Sequence, residues 1–267
     1  MALALALGTA ACEGDSGVAG EAMLVRMLPI TGPLGQQAAR IEEGQNLALA
    51  EINAAGGVLG QTVAYRTLDT RADPDAAATQ ASMLADRGTE FLLGAVSSSV
   101  TDAVLSAIDG SDMLVVSSAS GSSFLTGRHE GLFFRTSPTL ANVVDVLTKA
   151  VVAEGHEHVG ILESSNFYTA SLSKGFQQRF EASTCGSRPC RTTVFAYDEG
   201  EDFTADYDFE AGVEALLKEE AEAILFSCYP RMALAFCRRP WRRATSEPRT
   251  SRRPWSMVTW RCSCPRR

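Results

Sequence analysis

Three consecutive hydroxyl side chains, Ser97-Ser98-Ser99, stand where an apolar run gives way to a helical pattern. The first turn of a helix carries backbone N–H groups without intrahelical partners and a partial positive charge. Hydroxyls added there make a seat for a carboxylate or another small anion. The competing use is structural, because serine is a preferred residue for capping a helix start. A second hydroxyl-rich run, Ser117-Ser118-Ala119-Ser120-Gly121-Ser122-Ser123, follows the next apolar run. Its small residues let a ligand approach the main chain closely, or serve as a plain polar loop. Tyr168 opens a later helical stretch and Tyr229 follows a later apolar run. Each is able to wall a cleft or to pack in a core.

Signatures of catalysis are missing from the chain. It has no G-x-x-x-x-G-K-S/T phosphate loop, no G-x-G-x-x-G after a strand and no G-x-S-x-G nucleophile elbow. An enzyme is therefore not expected, and neither is a cofactor or a metal. His156-Glu157-His158 is the one local metal-like grouping, but adjacent strand positions point to opposite sides and do not converge on an ion. Cys185 and Cys190 bracket Gly-Ser-Arg-Pro, a turn-forming stretch that suits a small disulfide-closed loop in an oxidising compartment.

The formal net charge of −8 is unevenly spread. Residues 1–230 hold 13 Lys+Arg against 31 Asp+Glu, whereas residues 231–267 hold 11 Arg against one Glu. An acidic body argues against nucleic acid as a partner, since phosphate binding needs a positive footprint. The 231–267 tail carries all three Trp, lacks Lys and shows no sustained apolar period. It reads either as a basic arm for an acidic surface or as translation in a shifted reading frame. On the second reading, the compact body is cut short near residue 230.

The start of the chain reads as export. Residues 1–11 hold a short Ala/Leu run closed by small residues, as in a signal peptide, and are too short to span a bilayer. Cys12 directly after them is the expected lipidation site, which would tie the protein to a membrane by a lipid anchor. The alternative is an ordinary signal peptide with an incidental cysteine. Residues 12–21 form a polar linker.

What must position the hydroxyl runs is an alternation of short apolar segments with 3.6-residue periodicity. Strands are expected at 22–28, 62–68, 91–96 and 113–117, with helices at 36–54, 74–87 and 99–108 between them. After a crossover at 121–140, which includes a short strand at 132–135, the alternation resumes. Helices at 141–154, 168–182 and 212–220 interleave with strands at 159–162, 193–197 and 223–227. This order predicts an α/β fold of two lobes, each a parallel sheet flanked by helices, with an N-terminal lobe over 22–120 and a partial C-terminal lobe over 141–230. Ligands bind such sheets outside the carboxyl ends of the strands, where both hydroxyl runs fall.

Read together, these segments resemble the type I periplasmic binding fold, and within it the branched-chain amino-acid-binding family. Ala48-Leu-Ala-Glu-Ile-Asn-Ala-Ala-Gly-Gly-Val-Leu-Gly60 carries the resemblance most specifically. Thr31-Gly-Pro-Leu-Gly35, Asp69, Asp73-Pro74, Gly94-Ala-Val-Ser-Ser-Ser99, Ser117-Ser-Ala-Ser120 and Phe134-Arg-Thr-Ser-Pro138 follow in the same order. The resemblance implies a solute-binding protein that closes two hinged lobes on a small ligand, an amino acid or a relative of one, and presents it to the permease of an ATP-driven importer. It implies that Ser98 holds the ligand's carboxylate and that Ala119 offers a backbone contact. Ser99 and Ser120 lie beside these two, and Tyr168 and Tyr229 wall the cleft. Gly121 stands where amino-acid binders keep a threonine, a departure that counts against a plain α-amino acid, so the implied ligand is a branched-chain amino acid or a similar small polar solute. A sensor module of the same fold is the second function that the resemblance implies.

Overall fold

The computed structural model describes residues 21–197, 210–227 and the backbone of 256–258. The first sheet contains β1 (Glu21–Leu28), β2 (Thr62–Asp69), β3 (Phe91–Leu93), β4 (Leu114–Ser117) and β5 (Phe133–Arg135). Its order is β2-β1-β3-β4-β5 and every pairing is parallel. Three helices connect these strands: α1 (Gly35–Ala54), α2 (Pro74–Ala85) and α3 (Ser98–Ala107). The chain then runs through α4 (Leu140–Ala153), β6 (His158–Ser164) and α5 (Phe167–Glu181). A small antiparallel hairpin, β7 (Thr184–Cys185) and β8 (Arg188–Pro189), is closed by a Cys185–Cys190 disulfide. After it come β9 (Arg191–Tyr197), α6 (Glu210–Lys218), β10 (Ala223–Ser227) and β11 (Ser256–Val258). The second sheet, ordered β11-β10-β6-β9, is also parallel throughout.

Each sheet supplies its own core. In the first, Val25, Met27, Leu92 and Val115 meet Ala77, Ala81 and Leu84 of α2 and Val100, Val104 and Leu105 of α3. In the second, Val159, Ile161 and Leu225 meet Leu140, Val144 and Val151 of α4 and Leu172, Phe176 and Phe180 of α5. On the opposite face of that sheet, Leu162, Ile224 and Phe226 pack with Leu216 of α6. Two packed faces explain why 159–162 and 223–227 read as continuous apolar runs rather than as alternating ones.

Two departures from the sequence-based expectation have clear causes. The strand expected to reach residue 96 stops at Leu93, because Gly94 takes φ +126° and leaves the pleat. A Cβ there would lie 2.3 Å from the Met27 carbonyl oxygen, so only glycine fits this close approach. The second departure is in α1, where helical periodicity sets Ile41, Gly44, Ala48 and Ile52 on one face, yet only Ile41 is half-buried and the other three are exposed. Ala38 and Ile41 pack with Leu28 and Val96, and the rest of α1 is held by the buried guanidinium of Arg26 on β1. Its Nη2 lies 2.6 Å from Glu42 Oε1, and its Nη1 lies 3.0 Å from Asn46 Oδ1 and 3.3 Å from Gln45 Oε1. Nε donates to Thr67 Oγ1 at 2.8 Å, and the Tyr65 ring lies 4.5 Å from the guanidinium carbon. A buried cation with one carboxylate and several oxygen acceptors meets its desolvation cost locally.

On the α1 side of the first sheet, Phe91 and Phe134 keep 50% and 53% of their surface exposed. Phe176 is fully buried and stacks on Phe180 with ring centroids 5.3 Å apart. Truncating Phe176 to Ala is therefore expected to cost about 3–5 kcal/mol, and truncating Phe134 less than about 1.5 kcal/mol. Urea midpoints of the two variants test this ranking, and equal losses would contradict the packing described. A second expectation concerns His158, whose pKa is lowered from its ordinary value by burial and by Arg191, against the Glu220 carbonyl and the carboxylates of Glu222 and Glu219. The unfolded chain then takes up a proton more readily than the folded one, so stability is complete above the ordinary value near 6.5 and falls as acid is added below it. His158→Gln is expected to flatten that decline in urea midpoints measured between pH 7.5 and 5.5.

Candidate functional site

The carboxyl edge of the first sheet gathers both hydroxyl runs. Ser97 is the cap of α3, its Oγ accepting from Val100 N at 3.4 Å. The cap therefore falls on Ser97, and the helix starts at Ser98, one residue earlier than its periodicity indicates. Ser98 is 1% exposed, and its Oγ accepts the Ser122 N–H at 3.3 Å, which leaves the Ser98 hydroxyl hydrogen uncommitted among the described residues. Ser99 is half-buried and its Oγ lies 3.3 Å from that of Ser97. The amides of Ser98 and Ser99 belong to the first turn of α3 and meet no acceptor within it.

The second run is tied to the first from inside. Ser117 Oγ donates to the Ala95 carbonyl at 2.6 Å and accepts from Ala119 N and Ser120 N. Ser120 is fully buried, and its hydroxyl lies 2.6 Å from Thr101 Oγ1 and within 3.3 Å of the Ala95 and Val96 carbonyls. That side chain joins two loops. Ala119 is half-buried and packs with Leu28 and Val96. Gly121 is buried, with its carbonyl accepting from Leu140 N at 2.8 Å. Its N–H meets no acceptor among the described residues.

The second lobe meets this edge through α5. Asn166 caps α5 by accepting from Thr169 N at 2.9 Å, so the helix opens at Phe167 and places Tyr168 in its first turn. Thr169 is fully buried and its Oγ1 donates to the Ser164 carbonyl at 2.7 Å. Tyr168 is mostly buried, and burial pushes its phenol above the ordinary 10.0, so the ring keeps its hydroxyl proton. A Cβ on Gly121 would stand 3.5 Å from Tyr168 Cε2 and 3.4 Å from the Pro138 carbonyl, so the ring covers Gly121. Three contacts that sequence inspection misses complete the junction. Ser123 N donates to Ser171 Oγ at 3.0 Å, the Phe124 and Phe167 rings meet edge to face at 5.3 Å, and Lys174 Nζ lies 5.8 Å from the Phe124 ring centre. No periodic or compositional signal marks them, since each joins segments more than forty residues apart.

In this arrangement Ser98, Ser120, Gly121 and Tyr168 are brought together, but they are closed over. A groove of about 410 Å³ opens beside them, lined in part by Phe124, Val144, Ser171, Lys174 and Arg179. At the rim of the first sheet, Asp69 accepts from Thr31 Oγ1 at 2.6 Å and from Arg71 N at 2.9 Å. Burial raises its pKa, but the Thr31 hydroxyl and the Arg71, Thr31 and Ile30 amides outweigh it and hold the carboxyl below its ordinary value. His156 lies 3.2 Å from Glu154, and His158 lies 2.9 Å from Thr193 Oγ1. Among the described residues no group of three His, Cys, Asp or Glu side chains is placed to hold a metal. Cys12, Tyr229 and the 231–267 tail lie outside the described residues apart from the short strand β11. No described helix is long and apolar enough to cross a membrane.

Known proteins share this arrangement of sheets. The sequence pattern of the periplasmic binding protein family matches residues 27–239. A leucine-, isoleucine-, valine-, threonine- and alanine-binding protein from Pseudomonas aeruginosa is 26% identical over 209 residues, covering 77% of this chain and 53% of that one. The substrate-binding protein of a chemotactic signal transduction system from Halobacterium salinarum is 31% identical over 173 residues, covering 61% of this chain and 42% of that one. Among solved structures, an extracellular ligand-binding receptor from Verminephrobacter eiseniae superposes with a TM-score of 0.69 at 19% identity, covering 81% of this chain and 59% of that one. The chain thus spans about half the length of the curated relatives it matches. The shared two-sheet fold and the match over residues 27–239 make this chain a member of the periplasmic binding protein family, whose proteins bind solutes.

Proposed function

We propose that the chain is the extracytoplasmic solute-capturing component of an ATP-driven importer, and that its ligand is a small carboxylate-bearing solute such as a branched-chain amino acid. The observation that carries this reading is the cluster of uncommitted donors at the carboxyl edge of the first sheet. The amides of Ser98, Ser99 and Gly121 and the hydroxyl hydrogen of Ser98 meet no acceptor among the described residues; Ser98 Oγ holds the Ser122 N–H, next to Gly121, which faces Tyr168 of α5. Fixed donors of this kind meet a carboxylate's desolvation cost without reorganising. Because Ser98, Ser120 and Gly121 are buried and Tyr168 covers Gly121, a solute enters only when the lobes part. Closure on the ligand then returns the cluster to its buried state, with the solute's apolar part against Tyr168. Tyr229 is assigned to the same wall.

Export and anchoring belong to the same proposal. Residues 1–11 serve as the leader, and Cys12 takes the lipid that holds the protein at the cell surface or in the periplasm, near the permease subunits. A receptor that reports ligand occupancy to a signalling partner is the second reading. It is favoured by the identity shared with the chemotactic substrate-binding protein of Halobacterium salinarum.

Titration calorimetry of the full chain with L-leucine, L-isoleucine and L-valine tests the site. Saturable binding is expected, with Ser98→Ala weakening it by about tenfold or more, as for loss of one hydrogen bond to a charged group. Absence of binding to every probe, or an unchanged affinity in both Ser98→Ala and Tyr168→Ala, would overturn the assignment. For the anchor, Cys12→Ala is expected to move the expressed protein from the membrane fraction to the soluble extracytoplasmic fraction. Import and sensing separate on the partner that the ligand-loaded protein engages, a permease or a signal transducer.

A further inference from the structure

Arg135, at the end of β5, has no part in the donor cluster and no carboxylate partner among the described residues. Its guanidinium is turned onto main-chain carbonyls. Nη1 donates to Ser122 O at 2.7 Å and to Ser120 O at 3.4 Å, while Nη2 donates to Thr126 Oγ1 at 2.5 Å. Burial lowers the pKa of this arginine without discharging it. Two carbonyls therefore converge on one nitrogen.

In a planar trans peptide the C=O and the following N–H point in opposite directions. Drawing the Ser120 and Ser122 carbonyls together onto Arg135 therefore turns the N–H groups of Gly121 and Ser123 away from it. One of these, Ser123 N–H, reaches Ser171 Oγ on α5 of the second lobe. The other, Gly121 N–H, meets no acceptor among the described residues, at a residue whose α-carbon faces Tyr168. We infer that Arg135 is a positioning residue, which aims the Gly121 amide at the ligand and, through the neighbouring peptide, couples that amide to the second lobe. The coupling to ligand rests on the binding reading given above; the aiming of the two peptides does not. A charge-assisted bond at a carbonyl also strengthens the N–H of the same peptide as a donor, so the cation acts on the ligand without touching it.

The test uses the full chain with Arg135→Met, Arg135→Lys and, as a control, Ser171→Ala. Amide exchange and chemical shifts are read by NMR, and affinity for L-leucine by calorimetry. In Arg135→Met the Ser123 amide is expected to exchange about tenfold faster, the Gly121 amide resonance to move, and leucine affinity to fall about tenfold, matching loss of one charge-assisted bond. Arg135→Lys restores part of each, because one ammonium can still reach a carbonyl. Ser171→Ala speeds exchange at Ser123 but leaves the Gly121 resonance in place. If Ser123 exchange and the Gly121 shift are unchanged in Arg135→Met, the inference is overturned whether or not leucine binds. If those two move as expected while neither the unaltered chain nor any variant binds leucine, the peptide aiming stands and the ligand reading fails.

Discussion

A stretch of four residues, Ser120 to Ser123, has to satisfy buried main-chain groups on two lobes at once, and this constraint organises the junction. Its carbonyls go to Arg135 and to Leu140 N at the start of α4, while its amides go to Ser98 Oγ and Ser171 Oγ. A buried peptide group without a partner costs about 1–3 kcal/mol, so a segment with every group but one engaged has little freedom to shift. The exception is the Gly121 amide, at the place where solute capture is proposed. Orphaned buried donors are rare in folded proteins, and where one persists it commonly serves a function or awaits a bound molecule.

Most of the fold was legible because its longer elements carried their own local signals, whereas the short strands β7, β8 and β11 had none. Asp73 before Pro74 announced α2, and the structure shows its carboxylate accepting from Asp75 N and Ala76 N. The Ala223–Ser227 strand needed only its continuous apolar run, and α4 only its helical periodicity. Where periodicity failed, a specific contact had replaced it. Gly94 ended β3 early because Met27 comes too close for any side chain, and that approach exists only once β1 and β3 are paired. The apolar stripe of α1 was legible as a stripe, but not what it faces. Beyond the Ala38 and Ile41 contacts, Arg26 carries the attachment, through partners 16 to 20 residues away along the chain.

The site was legible at the level of loops and less so at the level of atoms. Hydroxyl-rich runs after strands are gathered at the carboxyl edge of the sheet, and the family resemblance pointed to Ser98 among them. Composition could not show how those hydroxyls would be divided. Ser97 caps, Ser117 and Ser120 knit the two loops, and Ser98 keeps a hydrogen to offer. Residues of one type in two neighbouring loops thus do three different jobs, and only their distances separate them. Arg135 was visible only as a member of a motif, since a guanidinium that serves carbonyls leaves no complementary acid in the sequence to betray it.

Gly121 links these observations. Space at its α-carbon is limited by the Pro138 carbonyl on one side and by Tyr168 on the other, at distances where a methyl group would just touch both. A branched or hydroxylated side chain would have to displace the Tyr168 ring, and with it the first turn of α5. Glycine therefore lets α5 of the second lobe bring the Tyr168 ring against the α-carbon of Gly121. If the solute binds there as proposed, such a junction would discriminate by contour as well as by hydrogen bonding, because the ligand would have to replace the ring's contacts with its own apolar surface while giving the amide an acceptor. Solutes that offer only one of these leave either a void or an unpaired N–H, and both are penalised in a buried site. On the proposed reading, selectivity at this junction would follow from the pairing of glycine with tyrosine across the two lobes, on a main chain that Arg135 holds in place.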